Sequence, residues 1–217
     1  MKIFKSLTRS LMVAALATLG MAGHAQEGVG KTNIVIGQSV ALTGPGSALA
    51  VPFHQGAKVY FDRVNAAGGI NGRKIELVTL DDRGNAQMAS DNTRKLLEQG
   101  VLSLFGFYGS PQVTAIYPQI KDSDVLLFAP MAAADEFRGA MYGNVYSVRP
   151  GYAEEAAAIT KHAEMLGVRR TGILHATDSE SLAALDSATR TMSGLGANMV
   201  ASAAVTAGGV AGSVDKV

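Results

Sequence analysis

Residues 101–130 decide the fold of this 217-residue chain, and they read VLSLFGFYGSPQVTAIYPQIKDSDVLLFAP. The stretch opens with an apolar run, Val101–Phe105, that is typical of a buried strand, and it closes with a second such run, Val125–Phe128. A glycine-bounded loop leads from the first run to Ser110 and Pro111. Apolar residues then recur at the spacing of a helix face, at Val113, Ile116, Tyr117 and Ile120. The stretch therefore predicts a β-α-β unit in which Ser110 caps the helix.

Ser110 is also the first candidate binding residue. It follows the carboxyl end of a predicted strand, which is where open parallel α/β sheets bind their ligands. Free backbone N–H groups and the helix dipole point into that crevice and favour an anion. The simpler interpretation, that Ser110 only caps its helix, stays open at this point.

The same alternation of strand and helix extends on both sides of this unit. It predicts strands at Asn33–Val40 and Arg73–Leu80, a helix with its inward face from Phe53 to Val64, and a helix over Ala86–Gln99. A further strand is predicted at Val145–Val148, beyond a loop over residues 131–143. These elements predict an α/β fold with a doubly wound, Rossmann-like parallel sheet over residues 26–148.

A second α/β lobe is predicted to begin after a break at Arg149-Pro150-Gly151. Strands at Thr171–His175 and Met199–Val205 flank a helix over Ser179–Ser193. Two strands are too few to close a three-layer lobe. Residues 149–217 are therefore either an incomplete lobe of a fragment, which is the favoured interpretation, or an unusually small second lobe.

Residues 1–25 have the pattern of a secretory signal peptide. Three cations precede an apolar segment, Leu11–Ala22, and the small-x-small triplet Gly23-His24-Ala25 follows it. The apolar segment is too short to span a bilayer. We therefore expect a soluble exported protein, periplasmic in a Gram-negative cell, with no membrane span after removal of the signal.

The composition narrows the classes of function. At 47% hydrophobic and 17% charged residues, the chain has the composition of a packed globular protein. Without the signal's cations, 16 basic residues face 18 acidic ones, which does not favour a nucleic-acid partner. The chain has no cysteine, and its histidines and carboxylates show no ligand spacing, so neither a metal nor a cofactor is predicted. Asp81-Asp82 are expected to serve at a strand end and a helix cap.

An exported enzyme is the main rival to a binding protein. An α/β-hydrolase presents its nucleophilic serine with glycine two residues before and two after it, but Tyr108 and Gln112 hold those positions around Ser110. Gly44-Pro45-Gly46 is an incomplete dinucleotide fingerprint, and the next helix is expected to begin late. No catalytic residue is therefore predicted.

Several short motifs, in order and spacing, carry a resemblance to a known family. They are Leu42-Thr43-Gly44-Pro45, Asn65–Arg73, Asp81-Asp82, Gly109-Ser110-Pro111, Ala129-Pro130 and Arg149–Glu155. From Asn33 onward the chain resembles the type I periplasmic binding proteins of branched-chain amino acid ABC transporters, the leucine/isoleucine/valine-binding group. The resemblance implies that two lobes close on an amino acid or similar small carboxylate, which is then delivered to a membrane permease. A ligand sensor that docks on a membrane receptor uses the same closed surface and stays open as an alternative.

The resemblance also implies binding residues. The ligand carboxylate would be held by the loop with Gly109 and Ser110 and by the next loop, Met131, Ala132 and Ala133. Further candidates, each with a simpler role beside it, are Tyr108 (loop packing), Ser47 (a turn serine), Tyr152 (no cleft contact) and Asp178 (a helix cap). Arg149 is expected to brace the crossover through loop carbonyls.

The sequence departs from the family pattern at three places. The loop over residues 131–134 lacks the hydroxyl side chain that members usually have there. Glu180 and Ser181 replace an aromatic residue and a glycine, and Leu49 replaces a tyrosine.

Overall fold

The structure, a computed structural model, describes residues 27–205 and 209–214. The strands are β1 (Asn33–Val40), β2 (Lys74–Asp81), β3 (Ser103–Phe105), β4 (Leu127–Phe128), β5 (Val145–Tyr146), β6 (Arg170–His175) and β7 (Asn198–Ala204). The α-helices are α1 (Ser47–Ala66), α2 (Ala86–Glu98), α3 (Ser110–Ile120), α4 (Tyr152–Met165), α5 (Ser179–Gly194) and α6 (Ala211–Val214). The predicted signal peptide, residues 1–25, lies outside the described residues.

Two parallel sheets organise the chain. The first has five strands in the order β2-β1-β3-β4-β5, and the second pairs β6 with β7. The longest ladder, between β1 and β2, runs in unbroken register from Asn33 opposite Lys74 to Val40 opposite Asp81. The predicted doubly wound α/β fold is confirmed.

The main apolar core lies between the first sheet and helices α2 and α3. Leu104 and Leu127 from the sheet are fully buried with Leu96, Ile116 and Ile120 from the helices. Burying a side chain of this size stabilises the fold by about 1.5–3 kcal/mol. The apolar spacing of the α3 sequence thus fixes which face of that helix packs on the sheet.

The second sheet and its helices α4 and α5 are less completely covered. Ala188, Met192 and Ala197 form a small core there. Leu174, Leu182 and Val200 are exposed, and an apolar cavity of about 390 Å³ opens between α4, α5 and β6.

Element boundaries differ from the predictions at α1, at three of the strands and in one loop. α1 begins at Ser47, much earlier than predicted, because Gly46 takes a left-handed conformation (φ 84°) that ends the loop and starts the helix at once. β3, β4 and β5 are each shorter than the apolar runs that predicted them, since only two or three residues of each run join the ladder. The predicted loop over residues 131–143 contains two 3-10 turns, Asp135–Arg138 and Ala140–Tyr142.

The loops after β1 and β2 are locked together. The Asp81 carboxylate accepts hydrogen bonds from the backbone N–H of Leu42 (3.0 Å) and from the N–H and hydroxyl of Thr43 (3.3 and 2.6 Å). A Cβ on Gly44 would lie 2.9 Å from the carbonyl oxygen of Arg83, and one on Gly84 would lie 2.4 Å from that of Pro45. The two glycines therefore let each loop lie directly against the backbone of the other.

The predicted helix-cap role of Asp81-Asp82 is wrong. Asn85 caps α2 by accepting from the N–H of Met88 at 2.9 Å. The buried Asp82 instead accepts from the Ser39 hydroxyl and the Gly84 N–H, both at 2.9 Å. Both aspartates brace the loops because four residues, 82–85, separate the end of β2 from the start of α2.

Candidate functional site

The strand order places a crevice at one edge of the first sheet. The order reverses between β1 and β3, and parallel α/β sheets bind ligands outside the carboxyl ends of the strands at such a point. The loops after β1, β3 and β4 meet at this edge, over residues 41–46, 106–109 and 129–134. We therefore built the candidate site from these three loops.

Gly109, not Ser110, precedes the helix as its cap, so the predicted capping role of Ser110 is wrong. Gly109 has φ 100° and ψ 136°, a conformation that favours glycine, and α3 begins at Ser110 with no side-chain cap. The Ser110 hydroxyl turns to the neighbouring loop and accepts from the N–H of Ala134 at 3.2 Å. Ser110 is 3% exposed, so this hydroxyl is fixed in the floor of the crevice.

The loop after β4 extends the pairing of the sheet toward the site. The N–H of Met131 donates to the carbonyl of Phe107 at 2.8 Å, and that of Gly109 donates to the carbonyl of Met131 at 3.0 Å. Ala132 and Ala133 follow and are buried. The carbonyl of Ala133 accepts from the N–H of Tyr152 at 2.9 Å, which joins this loop to the start of α4.

Arg149 lies between the two sheets, with contacts that differ from the prediction. Its Nε donates to Glu155 at 3.0 Å, and its guanidinium lies 5.7 Å from the centre of the Tyr152 ring. Arg138 instead contacts loop carbonyls, those of Ala134 (2.8 Å) and Arg149 (2.6 Å). Because Glu155 is only one turn into α4, the arginine side chain reaches this carboxylate before any loop carbonyl.

Asp178 caps α5, as its simpler interpretation predicted. Its carboxylate accepts from the N–H of Ser181 at 2.9 Å and from the Ser181 hydroxyl at 2.8 Å. These hydrogen bonds lower the pKa of the Asp178 carboxyl. The aspartate is therefore held as an anion at the mouth of the crevice.

A cavity of about 520 Å³ lies between α3, the start of α4 and the start of α5. It is lined by Pro111, Tyr152, Asp178, Ser179, Glu180, Ser181 and Ala184. Burial raises the pKa values of Tyr152 and Glu180. Both side chains line this cavity, opposite Pro111 at the start of α3.

The structure thus brings together some of the predicted residues and separates others. Ser110, Tyr152 and Asp178 adjoin or line the cavity, and Met131–Ala133 supply the backbone beneath it. Tyr108 packs against Val40, Ala41 and Ala50 and lies beside Gly46, and Ser47 is the first residue of α1. Tyr108 and Ser47 are outside the lining of this cavity.

Sequence reasoning missed Glu180 as a site residue. Its place along the chain could have indicated it, because Glu180 lies in the first turn of the helix that follows the carboxyl end of β6. The partnership of Arg149 with Glu155 was also missed, although the two are six residues apart and of opposite charge.

The described residues offer groups at this site that can bind a small ligand. A hydroxyl, backbone N–H groups, a phenol and two carboxylates surround the cavity. In residues 27–205 and 209–214, no group of three histidine or carboxylate side chains is placed to hold a metal ion. None of the helices formed by these residues is long and apolar enough to cross a membrane.

Comparison with known proteins places these observations in context. Residues 33–214 match the family model described as "Periplasmic binding protein". The chain is similar to "Leu/Ile/Val-binding protein homolog 3" of Brucella melitensis, with 27% identity over 62% of this chain and 35% of that protein. It is also similar to the "Leucine-, isoleucine-, valine-, threonine-, and alanine-binding protein" of Pseudomonas aeruginosa, with 27% identity over 60% of this chain and 35% of that protein.

A solved structure with the same fold is the extracellular ligand-binding receptor of Verminephrobacter eiseniae. It superposes with a TM-score of 0.73 and 25% identity, covering 80% of this chain and 50% of that one. The match accordingly spans about a third of the curated relatives and half of the solved structure.

Proposed function

The chain belongs to the periplasmic binding protein family, and on that premise we propose that it captures an amino acid or a similar small carboxylate between its two α/β units. The first unit comprises residues 26–148, and the second begins at residue 149. The relatives named for binding leucine, isoleucine and valine support an amino acid as the cargo. Export to the periplasm and delivery of the ligand to an ABC permease complete the proposal.

One observation carries this proposal: a cavity lies between Pro111, which follows the buried Ser110 at the start of α3 in the first unit, and Tyr152 and Glu180 of the second. A carboxylate near Ser110 would accept its hydroxyl and free N–H groups at the start of α3, where the helix dipole favours an anion. The cavity has the size of a small-molecule site.

Closure about a hinge follows from this two-sided arrangement. A ligand that contacts both units binds the closed state better than the open one, so binding shifts the population toward closure. The segment from Ser147 to Gly151 connects the units, and the pair of Arg149 and Glu155 lies at its end. No bond is made or broken in this cycle.

The test is the affinity of the Ser110→Ala variant for an amino acid, measured by calorimetry beside the unmodified chain. Loss of a hydrogen bond to a charged group costs about 1.5–3 kcal/mol, which corresponds to about 10- to 150-fold weaker binding. Ser202→Ala is the matched control, because Ser202 is exposed on β7. An unchanged affinity in Ser110→Ala would remove Ser110 from the site.

A further inference from the structure

A buried glutamine connects the first sheet to the loop that leads to Ser110. Gln38 lies in β1 and is 0% exposed. Its Nε2 donates to the carbonyl of Gly106 at 3.1 Å, and Gly106 is the first residue after β3. The N–H of Gly106 donates in turn to the carbonyl of Phe128 at 2.9 Å. Gly106 is therefore bonded to β1 through its carbonyl and to β4 through its N–H.

The close approach of Gln38 to this loop depends on glycine at position 106. Gly106 has φ 60°, in the left-handed region that favours glycine. An added Cβ would lie 2.9 Å from Nε2 of Gln38 and 3.2 Å from the ring of Phe53. A side chain at this position would therefore displace the amide that holds the loop.

The partners of Gln38 fix the orientation of its amide. A carbonyl oxygen can only accept a hydrogen bond, so the amide must turn its N–H toward Gly106. Its Oε1 then lies 2.6 Å from Nδ1 of His54, on α1, and accepts from the Thr79 hydroxyl, on β2, at 3.3 Å. Because Oε1 is an acceptor, Nδ1 of His54 must carry a proton.

The surroundings of His54 favour a neutral ring. Burial lowers the pKa of His54, and the positive charge of Lys58 lowers it further. Lys58 is paired with Asp62 at 2.6 Å, and these two are the charged neighbours among the side chains of α1 and β2 that line a cavity of about 350 Å³ beside His54. A neutral imidazole has one N–H, and the contact with Gln38 places it on Nδ1.

We propose that Gln38 is a positioning residue for ligand binding: it holds the loop over residues 106–109, which leads to Ser110, and His54 keeps the Gln38 amide turned toward Gly106. This inference rests on the proposed function, because it concerns a loop of the same site. Gln38 and His54 are outside the lining of the cavity beside Ser110, so they act through the backbone of the loop and not by contact with the ligand.

Amide hydrogen exchange at Gly106 and Gly109, followed by NMR in the unliganded 217-residue chain, tests the assignment. Gln38→Glu keeps the size of the side chain, but an ionised carboxylate places an acceptor against the Gly106 carbonyl and loses the hydrogen bond. At pH values where the new carboxyl is ionised, we expect both amides to exchange about tenfold or more faster than in the unmodified chain.

The pH dependence distinguishes positioning from packing. Once the new carboxyl is protonated, its O–H donates to the Gly106 carbonyl, so exchange should return to that of the unmodified chain at the same pH. A side chain that only fills space would show no such recovery. Gln99→Glu is the matched control, since Gln99 is exposed directly after α2, and it should leave exchange at both glycines unchanged.

The ring of His54 provides a second measurement, which needs no variant. Nitrogen-15 spectra of the unmodified chain should show the proton of the neutral ring on Nδ1. His54→Leu should speed exchange at Gly106, and His54→Asn, whose side-chain N–H lies near the position of Nδ1, should slow it again. A proton on Nε2, or exchange in Gln38→Glu that does not rise or does not recover in acid, would show that the assignment is wrong.

Calorimetric titration with leucine separates this inference from the proposed function. We expect Gln38→Glu to bind leucine about tenfold or more weakly than the unmodified chain at the pH where exchange is fast, and equally well where exchange has recovered. If exchange responds and leucine affinity does not, the positioning role is wrong and the binding function stands. If leucine does not bind the unmodified chain, the proposed function fails for this ligand and the positioning role fails with it.

Discussion

Replacing Gly109 by alanine tests whether the backbone of one residue shapes the floor of the crevice. Gly109 has φ 100° and ψ 136°, where residues with a side chain are strained by about 1–3 kcal/mol. An added Cβ would also lie 2.1 Å from Oε1 of Gln112, and Gln112 is 6% exposed, so the amide has to move within packed surroundings. Such a displacement adds about 1–3 kcal/mol.

Together these effects predict that Gly109→Ala lowers the free energy of unfolding by about 2–6 kcal/mol. For a chain of this size, each kcal/mol lowers the melting temperature by about 2–4 °C. Gly100→Ala is the control, because Gly100 also has a positive φ (67°) but an added Cβ there would meet nothing within 4 Å. Its cost is the backbone strain alone, about 1 kcal/mol.

The assay is urea unfolding followed by circular dichroism, with the slope of the transition checked for constancy across the variants. The difference between the two variants reports the contact with Gln112 together with the greater backbone strain at Gly109. If Gly109→Ala destabilises the chain no more than Gly100→Ala does, the Gln112 amide moves freely and the crevice floor does not depend on this glycine.

Three further predictions concern the carboxylates. Asp178→Ala removes the cap of α5 and should lower the free energy of unfolding by about 1 kcal/mol. Asp124→Ala, at an exposed loop position, is the control and should leave the free energy of unfolding unchanged. Equal effects of the two substitutions in thermal melts would contradict the capping role of Asp178. Burial raises the pKa of Glu180 in the folded chain. Ionisation of Glu180 therefore destabilises the fold at pH values above this raised pKa. It has no effect at pH values below the pKa of the unfolded state, which is about 4.3. Glu180→Gln should therefore be more stable than the unmodified chain at pH 7 and equally stable near pH 3. Thermal melts of both proteins at the two pH values measure the difference. A Glu180→Gln variant that is less stable than the unmodified chain at pH 7 would refute the prediction. Burial raises the pKa of Asp81, but hydrogen bonds from Thr43, Arg83 and Leu42 outweigh burial and lower the pKa overall. Ionised Asp81 therefore stabilises the fold at pH values above the pKa of the unfolded state, which is near 4. This contribution is lost as the pH falls through the lower pKa of the folded state. The stability gap between Asp81→Asn and the unmodified chain should accordingly close in acid, and a gap that persisted at pH 2 would point to lost shape rather than lost charge.

The sequence predicts the fold better than it predicts the limits of the elements. Apolar runs and helical spacing are set by burial, so they mark the strands and helices of the first sheet correctly. The run Val145–Val148 contributes only Val145–Tyr146 to the sheet, because β5 is an edge strand whose sole neighbour, β4, offers two residues for pairing. The length of a short parallel strand depends on how many residues its neighbouring strand offers for pairing. The neighbouring strand is distant in the sequence, so a local pattern does not give this length.

The candidate site was predictable at its loops and not at its contacts. Ser110 and Tyr152 could be placed near the crevice because each follows a predictable chain break. The contacts of Arg138 depend on the 3-10 turn over Asp135–Arg138, from which its guanidinium donates to the carbonyls of Ala134 and Arg149. The cavity combines Pro111 with Tyr152 and Glu180, which lie at the starts of α4 and α5, so a local pattern could not show it.

The interlocked loops at Gly44 and Gly84 also constrain how this protein can diversify. Each glycine gives room to the backbone of the opposite loop, at Arg83 and Pro45. An insertion in one loop would displace both contacts at once, whereas a compensating change in the other could restore them. We expect length changes in these two loops to be inherited in pairs, and engineered libraries of the crevice should vary both loops as a single unit.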